Sequence, residues 1–229
     1  FDGRRDLERE IVDTPLDPHE TFEDDPLRMI RAARFATQLE FRVAERAFQA
    51  MRDTAPRVDI LSQERITDEL QKIVGARTPS IGFKILESTT LLKRILPEIS
   101  RLKGVERRNG ISHKDNFYHT LQVLDNVAER TAARDPDATR WLRWAALFHD
   151  VAKPLTKRFH PKDGWTFHGH EDKGERMLPK IFRRLKLPLD ERLDYVRKLV
   201  RLHHRPIALV DEDVTDSAVR RLLFDAGDD

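Results

Sequence analysis

The sequence predicts an all-α protein built as two helical modules in series, with one small β-hairpin in the second. Three observations predict it. Apolar residues recur at three- and four-residue steps along nearly every stretch, the period of a helix with one buried face. A single segment breaks that rule: in "LTKRFHPKDGWTFHG", 155–169, short runs rich in Thr, Phe and Trp flank "HPKDG", which reads as a hairpin. The period is also interrupted at "LKGVERRNGIS", 102–112, which holds two glycines and is the expected boundary between the modules.

The helices follow in order. Over 27–39, Met29, Ala32, Ala33, Ala36 and Leu39 share a face. A second is expected over 43–54. A third spans 63–74, where Ile66, Leu70, Ile73 and Val74 form the stripe and Ser62 is the N-cap. Further helices are expected over 80–95, 115–132, 138–150, 171–186, 190–204 and 215–224. No internal repeat or low-complexity tract interrupts them.

With 229 residues the chain is long enough for one large or two small cores. No apolar run reaches the about 18 residues a membrane span needs, and no secretory signal opens the sequence. The absence of cysteine removes disulfides and thiolate metal sites, and a reducing, cytoplasmic location is expected. Net charge is only +2 but uneven: residues 1–25 hold ten acids against three bases, and 175–205 hold ten bases against four acids. The basic stretch is either a solvated helix face or a surface for nucleic-acid phosphates. The chain opens in mid-motif without an initiator Met, so a fragment of a longer protein is expected.

Histidines are concentrated in the second module. His119, His149-Asp150, His168 and His170, and His203-His204 each lie on or beside a different expected helix, about 20–35 residues apart; His160 and Asp172 lie near the third cluster. A lone histidine is more often a core residue than a ligand. Four clusters that a bundle can bring together point instead to a divalent metal held by imidazole and carboxylate.

The first module carries a second pattern in "TFEDDPLRMIRAARFATQLEF", 21–41. Acids before a proline at a helix start are explained by capping and by the helix dipole. Capping leaves Arg28, Arg31 and Arg34 unexplained. Asp25 and Arg28, three residues apart, fall on one helix face. A carboxylate accepts from an exocyclic amine and a guanidinium donates to a ring nitrogen. Adenine and cytosine offer that combination, whereas guanine and uracil present a carbonyl where the amine would be. A polar group left unpaired costs about 1–3 kcal/mol, enough to discriminate.

The histidine pattern resembles the HD superfamily of metal-dependent phosphohydrolases, through His119, His149-Asp150 and the auxiliary His170 and His203. The resemblance implies a helical bundle, one or two divalent ions (Ni, Mn, Mg or Fe), and metal-assisted water attack on phosphate esters. Lys153 is then either a phosphate contact in the hydrolytic site or a plain surface lysine. The superfamily closes its ligand set with an Asp on a later helix. Asp211, Asp213, Asp216 and Asp225 are available, but none stands in the usual setting, so an incomplete ligand set is expected.

"DGRRDL" (2–7), "EDDPLRMIRAARFATQLEF" (23–41) and "SQERITDEL" (62–70) are similar to three successive motifs of the bacterial-type tRNA nucleotidyltransferases, the CCA-adding enzymes and their poly(A) polymerase relatives. "HKDNFYHTL", "GWTFHGHE" and "AVRRLLFDAGDD" are similar to members with a C-terminal HD domain. The resemblance implies a helical neck and body over 21–104 and an HD bundle over 105–229, with residues 1–20 ending a catalytic head whose Mg²⁺-binding carboxylates precede Phe1. It makes Asp25 and Arg28 the template for the incoming base, with Asp24, where many members have Glu, and Arg31 and Arg34 beside them. It assigns Asp2, Gly3, Arg4 and Arg5 to a connector, and Glu64 and Arg65 to support of the neck, a plain Arg65–Glu69 helix pair being the alternative. The implied partners are CTP, ATP and a tRNA or other RNA 3' end, with Arg107, Arg108, Arg183, Arg184 and Lys186 as backbone contacts. Two other readings stay open: a stand-alone HD phosphohydrolase acting on nucleotides or RNA 2',3'-cyclic phosphates, and a non-catalytic RNA-binding module.

Overall fold

The computed structural model describes residues 3–206, 209 and 215–227. Asp2, Asp211 and Asp213 lie outside the described residues. In order, the first half contains α1 (Gly3–Glu8), β1 (Ile11–Val12), α2 (Pro18–Asp24), α3 (Leu27–Leu39), β2 (Arg42–Val43), α4 (Glu45–Asp53), a 3-10 segment (Ala55–Ile60), α5 (Gln63–Val74), α6 (Ser80–Ser88), α7 (Leu91–Ile95) and α8 (Pro97–Ser100). The second contains β3 (Arg107–Arg108), β4 (Ile111–Ser112), α9 (Asn116–Arg130), α10 (Pro136–Phe148), α11 (Lys153–Thr156), β5 (Arg158–His160), β6 (Gly164–Thr166), α12 (His170–Arg184), α13 (Glu191–Leu202) and α14 (Asp216–Ala226). The fold is mainly helical, as the periodicity predicts, and among the described residues no helix is long and apolar enough to cross a membrane.

Helix starts follow local chemistry. Ser62 accepts from the Arg65 amide at the head of α5, Asp115 from the amides of Phe117 and Tyr118, and Asp135 caps α10 with Pro136 at its first position. The stripe of α3 is fully buried at Met29, Ile30, Ala33 and Ala36 and packs on α5 and α6. That packing is flush: a Cβ at Gly82 would stand 2.5 Å from Thr37 Oγ1 and 2.7 Å from Ile73 Cγ2.

Several elements differ from the sequence expectation. The single helix expected over 80–95 is two, broken at Thr90, whose φ is +63°. The boundary stretch 102–112 contains a hairpin, β3–β4, turned by Asn109 and Gly110 at φ +52° and +81°, the left-handed pair a tight two-residue turn requires. β1 and β2 form a short parallel pair, Ile11 against Arg42. The expected hairpin is present as β5–β6, with Phe159 opposite Trp165. Gly3, Arg4 and Arg5 lie in α1, where Arg4 pairs with Glu8 at 3.3 Å.

One apolar cluster runs from Phe22 to Val200 and crosses residue 104 without a gap. Polar ties reinforce the crossing. Thr67 Oγ1 donates to the Leu185 carbonyl at 2.6 Å. The buried Arg143 guanidinium donates to the carbonyls of Val74 (3.1 Å), Ala76 (2.7 Å) and Ala128 (3.4 Å).

Candidate functional site

Four helices deliver the metal-ligand candidates. His119 stands in α9, His149-Asp150 at the C-terminal end of α10, His170 at the first position of α12, and His203-His204 just past α13. Gly169, at φ +72°, turns the chain so that α12 starts at His170.

Asp150 is the centre. It is fully buried, and neither carboxylate oxygen makes a hydrogen bond of good geometry with the protein. Oδ1 stands 3.2 Å from His170 Nε2 and 3.7 Å from His203 Nε2. Oδ2 stands 3.2 Å from His149 Nε2, 3.8 Å from His119 Nε2 and 2.7 Å from Lys153 Nζ. Burial alone would raise the Asp150 pKa, but the contacts with His149, His170 and His203 outweigh it and hold the carboxyl well below the usual range. Burial lowers the pKa of His119 and of His204 and neighbouring histidines add to it, against the opposing pull of Asp150.

The backbone fixes which ring nitrogen faces inward. Nδ1 of His149 donates to the Ala146 carbonyl, of His170 to Phe167, and of His203 to Val200, at 2.7–2.8 Å. A ring anchored through Nδ1 to a carbonyl has its Nε2 left to turn a lone pair toward a cation, the arrangement that orients metal-ligating imidazoles. Nε2 of His170 and of His203 then face each other at 3.3 Å. Two lone pairs and a buried carboxylate converging on one point fit a divalent cation. The donors fall into two groups sharing Asp150: His119 with His149, and His170 with His203 and His204, the donor atoms of each group lying within 4.8 Å of one another. Imidazole and carboxylate donors suit borderline transition ions.

Of the metal residues expected from sequence, His119, His149, Asp150, His170 and His203 are brought together. His204 joins them, although sequence reasoning chose only its neighbour. His168 and His160 are exposed and outside both groups, and Asp172 pairs with Arg201 at 3.7 Å. Asp216 opens α14 and Asp225 pairs with Arg205; neither joins a group. Beside the cluster lies a cavity of about 460 Å³, walled by Val123, Val127, Leu142 and Leu199 and edged by Lys153.

The other candidate set lies where α2 ends and α3 begins. Asp24 is exposed and ends α2. Asp25 Oδ1 accepts from the Leu27 amide (3.2 Å) and from Arg65 Nη2 (3.4 Å), while Oδ2 stands 4.0 Å from Arg28 Nε. Arg28 and Arg31 are exposed and line a cleft of about 350 Å³ with Asp13, Thr14 and Phe35; Asp25 is not part of the lining. Arg34 turns away: it pairs with Glu69 at 2.5 Å, binds Gln38 and lies 4.0 Å from the Phe35 ring centroid. Glu69 is thus taken by Arg34 and Lys72, and the alternative Arg65–Glu69 pair does not form, because Arg65 reaches Asp25. Among the expected RNA contacts, Arg107, Arg108, Arg183 and Lys186 are exposed, while Arg184 donates to the Ile95 carbonyl (3.0 Å) and Glu98 (2.6 Å).

Comparison with known proteins accords with this geometry. Residues 40–103 match the family described as "Probable RNA and SrmB- binding site of polymerase A", and residues 116–222 match the HD domain family. An A-adding tRNA nucleotidyltransferase of Deinococcus radiodurans is 36% identical over 192 residues, 81% of this chain and 43% of that protein. A multifunctional CCA protein of Methylococcus capsulatus is 38% identical over 226 residues, 94% of this chain and 50% of that protein. The chain spans about half the length of these curated relatives. The fold resembles that of the CCA-adding enzyme of Bacillus stearothermophilus in complex with CTP, with a TM-score of 0.57 and 24% identity over 99% of this chain and 45% of that one. It also resembles a tRNA-processing enzyme complex at TM-score 0.60 and 17% identity, over 99% of this chain and 53% of that one. Helical fold, histidine cluster and relatives agree: the chain belongs to the CCA-adding and tRNA nucleotidyltransferase family, of which it carries the RNA-binding neck and the HD domain.

Proposed function

We propose that this chain is the nucleotide-selecting and RNA-contacting part of an enzyme that adds C and A to tRNA 3' ends from CTP and ATP. The observation that supports it is the Asp25–Arg28 pair. Both side chains sit at a helix start: Arg28 is exposed and lines the cleft, and Asp25, whose Oδ1 is held by the Leu27 amide and Arg65, keeps Oδ2 4.0 Å from Arg28. Asp25 accepts the exocyclic amine of the incoming base, Arg28 donates to its ring nitrogen, and Arg31 neutralises phosphate at the cleft edge. The Mg²⁺ for nucleotidyl transfer is held by carboxylates of the head domain, outside this chain. In the intact enzyme Asp25→Ala and Arg28→Ala should admit UTP and GTP; Arg28→Ala should leave thermal stability nearly unchanged, and Asp25→Ala, which also frees the Leu27 amide and Arg65, should cost about 0.5–2 kcal/mol. Unchanged nucleotide preference in both would sink the template role. Sequencing the added nucleotides separates CCA addition from addition of A alone.

The buried Asp150 carboxylate, ringed by His119, His149, His170 and His203, supports a second activity, a divalent-metal-dependent phosphohydrolase. An ion bound there supplies a Lewis acid for phosphate and lowers the pKa of water. Lys153 sets a positive charge at the mouth of the cavity, and the wall of Val123, Val127 and Leu142 excludes water behind it. Hydrolysis of nucleoside 2',3'-cyclic phosphates with Ni²⁺ or Mn²⁺ should be lost in His149→Ala. No bound metal by elemental analysis after loading would favour the RNA-binding module instead.

A further inference from the structure

We propose that the two hairpins β3–β4 and β5–β6 form a single platform that docks a single-stranded RNA segment and leads it toward the histidine cluster. The proposal rests on the reading of the chain as one that handles RNA ends, and adds to it a surface and the form of RNA that fits.

The hairpins are one unit. Trp165 Nε1 donates to the Ile111 carbonyl at 3.1 Å, and Lys157 pairs with Glu106 across the seam. Gly164, at φ +73°, lies so close to Ile111 that a Cβ there would stand 3.2 Å from its Cγ2.

The charge of this unit is one-sided. Arg107, Arg108, Lys114, Arg158 and Lys162 are exposed, and among the described residues none of them makes an ion pair of 4.0 Å or less. Within 105–114 and 157–168 the only acids are Glu106, already paired, and Asp163 at the turn. Elsewhere in the chain arginines are routinely spent on carboxylates, as with Arg34, Arg46, Arg94 and Arg184.

Flat rings lie between these charges. Phe159 and Trp165 face each other across the hairpin at 5.2 Å and remain partly exposed. The Arg108 guanidinium stands 5.0 Å from the Phe159 ring centroid, and Lys157 Nζ 5.5 Å from that of Trp165. Single-stranded nucleic acid needs this combination: cations that track the backbone and rings on which unpaired bases stack. A duplex keeps its bases stacked internally and could not use the rings. A protein partner would be expected to cover a more apolar face with fewer unneutralised bases.

The platform ends at the metal cluster. β6 runs into Phe167, whose carbonyl accepts from His170 Nδ1 at 2.8 Å and whose ring centroid lies 5.5 Å from Lys153 Nζ. A strand laid along the hairpins therefore leads to the cavity edged by His119 and Lys153.

The test is fluorescence anisotropy of a 5'-fluorescein-labelled 12-nucleotide oligo(U) with the full-length protein, in EDTA and without nucleotides, so that neither hydrolysis nor transfer enters. Arg108→Glu/Arg158→Glu should weaken binding at least about tenfold and flatten the plot of log affinity against log salt by about 1.4, the value for two lost single-strand phosphate contacts. Arg107→Gln/Lys162→Gln, which only removes charge at exposed sites, should shift both in the same direction by less, and unchanged melting temperatures verify the fold. Unchanged affinity and slope in both variants would overturn the proposal. So would normal oligo(U) binding with loss of self-association or of a protein partner, which would assign the platform to protein contact. Failure of the Asp25 and Arg28 tests with a positive result here would sink the template reading alone.

Discussion

Divalent-ion stabilisation and its dependence on Asp150 are the sharpest consequence of the cluster geometry. The perturbation is Asp150→Asn, which keeps the volume and removes the charge shared by the two donor groups. His170 and His203, whose Nε2 atoms stand 3.3 Å apart, and the buried Asp150 carboxylate would hold the cation, which would relieve the opposition of the two rings. An ion that binds only the folded state, present at a hundred times its Kd, adds about 2.7 kcal/mol. For a chain of this size each kcal/mol moves Tm by about 2–4 °C, so Ni²⁺ or Mn²⁺ should raise Tm by about 5–11 °C. The assay is a thermal melt with and without the ion, followed by EDTA to reverse the shift. In Asp150→Asn both donor groups lose their common member, and the shift should nearly vanish. An equal shift in the variant, or none in the unaltered protein, would refute the reasoning.

Three further outcomes are expected. Arg143→Met should strand the carbonyls of Val74 and Ala76 and cost about 1–3 kcal/mol for each one left unsatisfied, read by urea unfolding. Gly82→Ala should cost about 1–3 kcal/mol through overpacking against Thr37 and Ile73, with Tm lowered and the metal response kept. Asp190, held down to about 2 by its hydrogen bonds to Arg192, has a folded pKa below its unfolded value. Its contribution is therefore complete above the unfolded value of about 3.9 and is lost as pH falls through the folded one. The Tm gap between the native protein and Asp190→Asn should be constant above that point and close on acidification toward pH 2.

The legible parts of the sequence were those encoded locally. The α5 stripe, most of the α3 stripe, the Ser62 cap and the β5–β6 hairpin each follow from period or turn chemistry within a dozen residues, whereas Leu39, expected on the α3 stripe, is 49% exposed at the helix end. His149 and Asp150 were legible because they share one helix end, and the other histidines because each stands beside its own apolar helix. Asn109-Gly110 is a local hairpin signal inside the stretch 102–112, whose broken helical period marks only a boundary. Nothing local announces that Thr90 takes a left-handed turn and splits the helix expected over 80–95. Pairings across long separations were out of reach: β1 with β2, Arg34 with Glu69, and Arg65 with Asp25, forty positions away. Period alone could not say which of three arginines on one helix would turn from the cleft, because Glu69 lies on a different helix.

The seam at residue 104 has a practical consequence. Leu102, Phe117, Phe182 and Leu185 belong to one buried mass, so severing the peptide there would lay bare oily faces on both pieces and strand the carbonyls that Arg143 serves. Separately expressed halves should aggregate, or recover only when mixed. Swapping in the histidine half of a distant homologue would require transplanting the matching faces of α5 and α6, which pack on α10 and α9, along with it.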